Sequence, residues 1–401
     1  MPFDFELRAG EDLPAGAFAR LRAAGPVVWS EALAGWLVSG AAEVRIVLSD
    51  LARFTSAGTP VAEVFKGEGM LVNDTAMHHV IRAVWARHVS RPAMDARSAD
   101  FARIAAAVLA AAQPGGGAPI DFMPLFRRMV LEVITLLFGV PQGDWPVIEH
   151  YAALSADTPA LGYAEGSAAQ RRHEAGKAAV YAMIDAQVAE RRVRLARGEP
   201  PADLIARMVA AVGQNGITET VMRDNVFNFT LGAVDTTERW MGNALARLAA
   251  NPADAAALRA EPARIEAYLD EVMRHDTVAQ VIQRKVREGG ATLGAQALAA
   301  GDSVYVLLGA ASRDAAEHDA PDAFDAARPP RANFGFGFGF HYCLGLHIAR
   351  AEVTALVAAT LAAMPALELV ACDLGPTWAL LGPRRLVLRN HPAGANGRHA
   401  A

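Results

Sequence analysis

The stretch NFGFGFGFHYCLG, residues 333–345, alternates phenylalanine with glycine and then presents a single cysteine, Cys343. An amphipathic helical pattern covers residues 344–364, so Cys343 lies at a predicted helix N-terminus. There the dipole and the free amides lower the pKa of a thiol and favour the thiolate, the form that binds metal. Glycine lets the backbone approach a large flat group, and phenylalanine keeps water from the sulfur. The stretch predicts a metal macrocycle held through one axial thiolate.

Other interpretations of this stretch need features that the sequence lacks. A dinucleotide-binding loop would need a third glycine after Gly335 and Gly337, and a phenylalanine stands there. A disordered phenylalanine-glycine repeat would be longer than this single run. Zinc is a more serious alternative because His341, Cys343 and His347 are close in sequence, but structural zinc sites usually have four ligands and paired cysteines. A lone cysteine can also be simply buried and inert.

The composition excludes several classes of protein. The 401 residues are 53% hydrophobic and 20% charged, which is typical of a globular protein. The formal net charge of −5 argues against nucleic-acid binding, which usually requires a basic excess. Two cysteines, Cys343 and Cys372, cannot form a disulfide framework and favour a reducing compartment. The sequence shows neither a signal peptide nor an uninterrupted apolar run of membrane-spanning length, so we expect a cytoplasmic protein.

The periodicity of hydrophobic residues and the positions of glycine and proline predict a mainly α fold with small β-sheets. Helical patterns cover residues 76–91, 97–112, 121–138, 144–155 and 167–197. Strand-like runs cover residues 26–30, 35–40, 303–308 and 384–389. None of the breaks resembles a domain linker, so residues 1–401 are expected to form a single domain with a loose tail at about 391–401.

One predicted helix crosses the interior. Thr218 can cap its start and the Asn-Pro pair at 251–252 ends it, which at about 1.5 Å per residue gives roughly 50 Å. Its middle is apolar on most sides, as expected of a buried helix. Gly232 beside Ala233 weakens the helix there, since glycine costs about 1 kcal/mol relative to alanine.

Three polar residues, Asp235, Thr236 and Thr237, follow this weak point. Burying them is costly without partners. In a purely structural interpretation Asp235 pairs with Arg239 one turn later, and the threonines bond back to the preceding turn. The coincidence of a weak helix and buried polar groups favours a functional site.

The segment FGFGFHYCLGLHIAR, residues 336–350, closely resembles the haem-binding loop of the cytochrome P450 superfamily. That signature reads F-G-x-G-x-H-x-C-x-G, followed after two residues by L-A-R. The matching residues are Phe336, Gly337, Gly339, His341, Cys343, Gly345, Ala349 and Arg350. The resemblance covers residues 10–390 and implies the cytochrome P450 fold as a single haem domain. It implies haem b as cofactor, Cys343 as the iron ligand, and contacts from Phe336 and Gly345.

Further segments match this family in the expected order. Glu271 and Arg274 resemble its E-x-x-R pair, and Arg328 resembles the third member of its Glu-Arg-Arg cluster, with a structural role. The spacing alone is weak, because Glu261 and Arg264 show it too and such pairs are common on helix surfaces.

A set of cations is implied for the haem propionates. His78 and Arg82, four apart in NDTAMHHVIR, resemble the family's histidine and arginine on one helix face. Arg284 and His341 complete the set. Buried carboxylates need such partners, although a solvated helix face would be the ordinary interpretation of His78 and Arg82 alone.

The segment GAVDTT, residues 232–237, resembles the family's distal helix motif, in which Asp235 and Thr236 deliver protons. The implied activity is monooxygenation, in which one atom of O2 enters the substrate and the other leaves as water. Ala233 stands where the family more often has glycine. Thr277 and Val278 replace paired prolines beside the substrate, which puts the local backbone shape in doubt.

The resemblance also implies a small organic substrate and a separate electron donor. By analogy the pocket draws on residues 60–71, 157–166 and 378–381, and on a mostly apolar set of residues. That set is Phe229, Ala233, Val278, Val281 and Leu380. No flavin or nicotinamide site is evident, so ferredoxin and ferredoxin reductase are expected to supply electrons from NAD(P)H to a monomer.

The cysteine side of the haem is the implied docking face for that ferredoxin, with Arg97, Arg331 and His347 as contributors. Two other functions remain open. A peroxygenase would use hydrogen peroxide and need no partner, and a haem sensor or carrier would need no proton relay. The Asp235–Thr236 pair counts against both.

Overall fold

A computed structural model describes residues 15–60, 62, 68–114, 117–156, 163–374 and 379–390. The tail predicted at 391–401 lies outside these residues, as do residues 61, 63–67, 157–162 and 378 of the expected pocket segments. Helices dominate the described residues, as predicted. Their bounds are Ala15–Ala24, Ala41–Ser49, Ala76–Ala86, Arg91–Asp95, Ser98–Ala112, Met123–Phe138, Trp145–Ala156, Ala168–Ala196, Leu204–Ala211, Glu219–Gly232, Val234–Ala250, Pro252–Ala260, Ile265–His275, Leu308–Ala311 and Leu346–Ala363.

Side-chain caps explain where several helices begin. Ser167, Asp203 and Thr218 each accept a hydrogen bond from a backbone amide two or three residues into the helix, which satisfies a donor left free by helix geometry. Gly139 ends the helix Met123–Phe138 in the left-handed conformation, at φ 72°. The predicted helix 76–91 is shorter than expected: it ends at Ala86, and a separate short helix starts at Arg91 with proline in its first turn.

Three small sheets accompany the helices within the described residues. The five-stranded sheet runs in the order Val27–Ser30, Gly35–Val38, Ser303–Leu307, Val281–Val286 and Phe54–Thr55. Its second and third strands are parallel, and its other pairings are antiparallel. The three-stranded sheet runs Ile120–Asp121, Arg385–Asn390 and Leu367–Asp373, and a hairpin joins Ala291–Leu293 to Gln296–Leu298. The four predicted strands are all present.

The main hydrophobic core lies among the helices, and a second cluster covers the five-stranded sheet. Trp85 is fully buried, and its indole nitrogen donates to the carbonyl of Leu204 at 2.8 Å. The helix Leu346–Ala363, here called the cysteine helix, is long and apolar enough to span a membrane by length and composition. Eight of its residues are buried within the protein and it packs on the helix Ser98–Ala112, as the core helix of a globular domain does.

The long interior helix is interrupted, which corrects the prediction of one continuous element. It forms two helices, Glu219–Gly232 and Val234–Ala250, which meet at Ala233. The hydroxyl of Thr236 donates to the carbonyl of Gly232 at 3.0 Å and so competes for an acceptor of the helical ladder. Side chains that enter the ladder in this way bend helices. The interruption falls at the weak point that the sequence predicts.

Candidate active site

The loop before the cysteine helix is folded back on itself. The amide of Gly337 donates to the carbonyl of Phe334 at 2.8 Å, and the amide of Cys343 donates to the carbonyl of Phe336 at 3.0 Å. Gly337 and Gly339 have φ values of 75° and 68°, in the left-handed region that favours glycine. A Cβ on Gly339 would also come within 2.7 Å of the carbonyl of Leu48. These glycines are therefore needed to form the loop that presents Cys343.

Cys343 is exposed as a residue, although protein atoms surround its thiol. Burial raises its pKa, while the backbone amides of Gly345 and Leu346 and the charge of Arg82 lower it and only partly compensate. The amides at the helix terminus lower this pKa, as predicted, but burial is the larger effect, so the expected net preference for thiolate is not found in the protein alone. A bound cation deprotonates a coordinating thiol outright, so metal binding remains compatible with this geometry.

Three cationic or donor side chains, Arg82, His78 and His341, lie together at the cysteine loop, and Arg284 is within range of the charge of Asp74, which binds His341. Arg82 donates to the carbonyl of Tyr342 at 2.7 Å, and His78 stacks on the ring of Phe340 at 4.1 Å. His78 and His341 have ring centroids 4.9 Å apart. Arg284 donates to the carbonyl of Gln283 and is 6% exposed.

Three nitrogens of this group lack a hydrogen-bond partner in the described part of the chain: Nδ1 of His78, Nδ1 of His341 and Nε of Arg284. Burial, together with the charges of His341 and Arg82, lowers the pKa of His78 to about 4. Burial also lowers the pKa of Arg284. Buried donors without acceptors are unfavourable by themselves, so this cluster fits an anionic group such as the propionates of haem.

Asp74 holds this cluster together and was not predicted from the sequence. Its carboxylate accepts from Nε2 of His341 at 2.7 Å, from the hydroxyl of Thr55 at 2.6 Å and from the amide of Ser56 at 2.7 Å. Burial opposes ionisation, but these hydrogen bonds outweigh it and lower the pKa of Asp74. The result is an ionised acid that fixes the orientation of His341.

The predicted Glu-Arg-Arg cluster is assembled and buried. Nε and Nη2 of Arg274 donate to both carboxylate oxygens of Glu271 at 2.6 and 2.8 Å, and Nε of Arg328 donates at 3.1 Å. The amide of Asp325 adds a fourth donor at 2.9 Å. Burial raises the pKa of Glu271, but the donors prevail and the net shift is downward. This cluster ties the helix Ile265–His275 to the segment that precedes the cysteine loop.

At the interruption of the interior helix, Gly232 is exposed, and a Cβ built on it would meet no atom within 4 Å in the described structure. Thr236 lies on this open side, with its hydroxyl proton directed to the carbonyl of Gly232. Asp235 is 3.3 Å from Nη2 of Arg127, which comes from a different helix. Arg239, the expected partner of Asp235, donates to the carbonyl of Gly382 at 3.0 Å.

The expected pocket residues have different environments. Phe229 is 9% exposed and packs between Trp85 and Phe138, with ring-centroid distances of 4.8 and 5.1 Å. Val278 is 2% exposed. These two side chains have little surface left for a substrate. Ala233, Val281 and Leu380 are partly buried. Hydrogen bonds between residues 278–280 and 379–381 bring Val281 and Leu380 into neighbouring segments.

Thr277, where the family often has proline, is fully buried. Its hydroxyl donates to the carbonyls of Met273 and Arg274 at 2.8 and 3.3 Å. It thereby satisfies carbonyls at the end of the helix Ile265–His275 that helix geometry leaves free. The departure from the family pattern is accommodated by a polar helix ending.

The zinc alternative receives no support from the arrangement of its residues. One ring nitrogen of His341 bonds to Asp74, and the other has no partner among the residues that the structure describes. In the described part of the chain, no group of three or more His, Cys, Asp or Glu side chains could hold a metal ion. Cys372, the second cysteine, lies in the strand Leu367–Asp373 opposite Leu386, in a different part of the fold from the cysteine loop.

Comparison with known proteins gives a consistent result. The cytochrome P450 family model matches residues 36–364. Cytochrome P450 105C1 of a Streptomyces species is 30% identical over 360 residues, which cover 89% of each chain. The cytochrome P450 monooxygenase PikC of Streptomyces venezuelae is 28% identical, over 90% of this chain and 86% of its own. The solved structure of CalO2 has a TM-score of 0.86 at 26% identity, covering 98% of this chain and 100% of that one.

The chain therefore belongs to the cytochrome P450 family, whose members are oxidoreductases that bind haem b. The fold predicted from the sequence, mainly α with small sheets in a single domain, is confirmed.

Proposed function

We propose that this chain is a haem-thiolate monooxygenase that inserts one atom of O2 into an apolar organic substrate, with Cys343 as the iron ligand. One observation carries the assignment. Cys343 lies at the end of a loop that contacts His78 and Arg82, and His78, Arg284 and His341 each have a buried nitrogen without a partner among the described residues. A macrocycle with one axial thiolate and two carboxylates would satisfy both features. Haem iron with a thiolate ligand supplies reductive cleavage of O2.

The protein residues supply binding and proton delivery. His78, Arg82, Arg284 and His341 would bind the propionates, and Phe336 and Gly345 would contact the ring. Thr236 directs its hydroxyl hydrogen to Gly232, so its oxygen lone pairs face the open side of the helix and can accept and pass on a proton. Asp235 is the acid that would supply this proton from the protein exterior. Glu271, Arg274 and Arg328 would maintain the fold of the proximal side.

The electrons would come from NAD(P)H through a reductase and a ferredoxin that binds the cysteine side. Burial lowers the pKa of Arg207, and the charges of Arg87 and Arg97 lower it further. His347, on the cysteine helix, is likewise in the field of Arg350 and Arg91. Arg331 bonds the carbonyl of Glu317. Arg91 and Arg350 also pair with Glu266 and Asp270. The cations of this face would attract an acidic partner, and their contribution would weaken with added salt.

Ala233, Val281 and Leu380 would form part of the substrate surface, because they keep partial exposure near the interrupted helix or in neighbouring segments. Their apolar character favours an apolar organic substrate over a polyanion. The protein would be a cytoplasmic monomer, with residues 1–401 as one domain, and would bind neither membrane nor nucleic acid.

The test uses purified haem-loaded protein with ferredoxin, ferredoxin reductase and NADH or NADPH. A spectral binding screen over terpenes, fatty acids, aromatic acids and macrolides first identifies a ligand. NAD(P)H consumption coupled to an oxygenated product is the expected result. Equal turnover with hydrogen peroxide in the absence of both partner proteins would favour a peroxygenase, and haem binding without any turnover would favour a sensor.

A further inference from the structure

Polar side chains of the interior helix hold residues 68–70, part of the expected pocket, in place. One carboxylate oxygen of Asp224 accepts from the amide of Glu68 at 2.9 Å. Asn225 binds the same residues in both directions: its Nδ2 donates to the carbonyl of Glu68 at 3.0 Å, and its Oδ1 accepts from the amide of Met70 at 2.7 Å. These contacts fix the pocket segment on the helix.

Asn228 lies one turn further along the same helix and is 6% exposed. Its Nδ2 donates to the carbonyl of Asp224 at 2.8 Å. This bond fixes the orientation of the amide, because exchanging the nitrogen and the oxygen would place two acceptors against each other. The oxygen Oδ1 is buried and has no hydrogen-bond partner among the described residues. Asn225, in contrast, has partners for both its oxygen and its nitrogen.

Gly69 packs directly on the amide of Asn228. A Cβ built on Gly69 would lie 1.8 Å from Nδ2 of Asn228 and 3.4 Å from its Oδ1. The backbone of the pocket segment therefore covers the nitrogen side of the amide more closely than the oxygen side. The atom that lacks a partner is the one that the segment covers less.

Asn228 is also one turn from the open part of the interior helix. Gly232 is four residues later on the same helix face, about 6 Å along the axis, and it is exposed. The intervening Phe229 reaches the cysteine loop: a Cβ built on Gly345 would lie 3.8 Å from the Phe229 ring and 3.8 Å from Sγ of Cys343. Asn228 therefore lies between the fixed pocket segment and the site at which the reaction is proposed to occur.

We propose that Asn228 is a specificity-determining residue, whose Oδ1 accepts a hydrogen bond from a hydroxyl or amino group of the substrate. This inference rests on the proposed monooxygenase function and narrows its substrate class to an apolar skeleton that carries a hydrogen-bond donor. An amide oxygen only accepts, so a keto or ether oxygen at the same place leaves Oδ1 unpaired. A site that hydrogen-bonds a substrate hydroxyl discriminates strongly against the analogue without it.

The test compares alcohols with ketones of the same skeleton as ligands of the haem-loaded protein. The pairs are menthol with menthone, 2-adamantanol with 2-adamantanone, and cyclododecanol with cyclododecanone. Isothermal titration calorimetry gives the Kd values and needs neither O2 nor electrons. Wild type is expected to bind the alcohol of at least one pair about tenfold more tightly than its ketone. Asn228→Leu, which replaces the amide with an apolar side chain, should bring the two Kd values within about twofold of each other.

Asn225→Leu is the matched comparison for a purely structural role. It removes the same type of side chain one turn earlier, where both polar atoms hold the pocket segment. This variant should weaken the binding of alcohol and ketone equally and so retain the preference for the alcohol. Loss of the preference in Asn225→Leu as well as in Asn228→Leu would contradict a specific role of Asn228.

The inference is overturned if Asn228→Leu keeps the preference of wild type. It is also overturned if no alcohol of the set binds wild type more tightly than its ketone, a result that needs no variant to fold. Failure of the proposed function has a different signature. In that case the preference of wild type for the alcohol would remain, while NAD(P)H consumption with ferredoxin and reductase would yield no oxygenated product.

Discussion

The proximal and distal sides of this protein each contain a buried glutamate paired with arginine, but the pKa values of the two glutamates are shifted in opposite directions. Glu271 has two arginines and a backbone amide as donors, and its pKa is lowered. Glu238 shares one arginine with a second acid, and its pKa is raised to about 7. Burial alone would raise both values.

Burial raises the pKa of both acids, and their donors decide the net direction: those of Glu271 outweigh its burial, whereas the one arginine that Glu238 shares with Asp235 does not. On the proximal side donors are in excess, which produces a fixed ionic cluster that supports the cysteine loop. On the distal side carboxylates are in excess, so a proton can be taken up or released near neutral pH. The same residue types thus form an acid that stays ionised on one side and an acid with a pKa near neutrality on the other.

The largest expected effect is on the proximal side, where Cys343→Ser should abolish the thiolate-type spectrum of the ferrous carbonyl form. Serine oxygen cannot replace the sulfur as a thiolate donor. Cys372→Ser is the control and should retain the spectrum, because Cys372 lies in the strand Leu367–Asp373. The reverse outcome would show that the ligand has been misassigned.

A second proximal prediction concerns Glu271→Ala. Removing the acid leaves Arg274 buried at 2% exposure without its carboxylate, which should lower the free energy of unfolding by about 3–5 kcal/mol. Urea unfolding of the haem-loaded protein measures this change. Glu261→Ala is the matched control, since Glu261 has the same spacing to Arg264 but is exposed, and its effect should be close to zero. Equal effects of the two substitutions would contradict the structural role of the Glu271 cluster.

The distal glutamate should make stability depend on pH with the opposite sign to Glu271. Between the ordinary value of 4.5 and about 7, the native protein keeps a proton on Glu238 that the unfolded chain has lost. The contribution of Glu238 to the free energy of unfolding is therefore fully present below about pH 4.5. It decreases as the pH rises to about 7, by about 3 kcal/mol in total. Glu271, with a lowered pKa, loses stability only as pH falls below 4.5.

The difference in unfolding free energy between wild type and Glu238→Gln, measured from pH 5 to 8, isolates this contribution. A difference that is flat over this range would show that Glu238 is ionised throughout, and the contrast between the two glutamates would disappear.

The smallest expected effect is that of Thr236→Ala on coupling. Loss of the hydroxyl should leave the binding of a spectrally identified substrate unchanged and divert electrons to hydrogen peroxide. Product formed per NADH consumed should fall by about tenfold, or ~1.4 kcal/mol. Product yield and peroxide are measured together in the ferredoxin-supported assay. Thr237→Ser, which keeps a hydroxyl at the next position, serves as control. Unchanged coupling in Thr236→Ala would remove the relay role.

Much of the site could be predicted because its determinants are local in sequence. The positive φ of Gly337 and Gly339, the position of Cys343 before a helix, and the cap at Thr218 each depend on residues within one or two turns. The bond from Thr236 to Gly232 spans only four residues. For these features the residue type and its near neighbours specify the geometry.

The family signature also located residues that are distant in sequence, and the structure brings these together. His78 and His341 meet in the cysteine loop, and Glu271 meets Arg328. The motifs predicted which residues belong to the site, but not which hydrogen-bond partners hold them there. That Asp74 orients His341 follows from a contact between residues 267 positions apart.

The amino-acid sequence by itself determined the helical architecture, the cysteine that serves as candidate ligand and the weak point of the interior helix, because each depends on local backbone preferences. The tertiary structure alone decided which charges share a partner. Arg127 meets Asp235 and Glu238 across more than one hundred residues, and burial raises the pKa of Cys343 against its helix terminus. Desolvation and long-range pairing depend on every element packed around a group, and no short stretch of sequence contains that information.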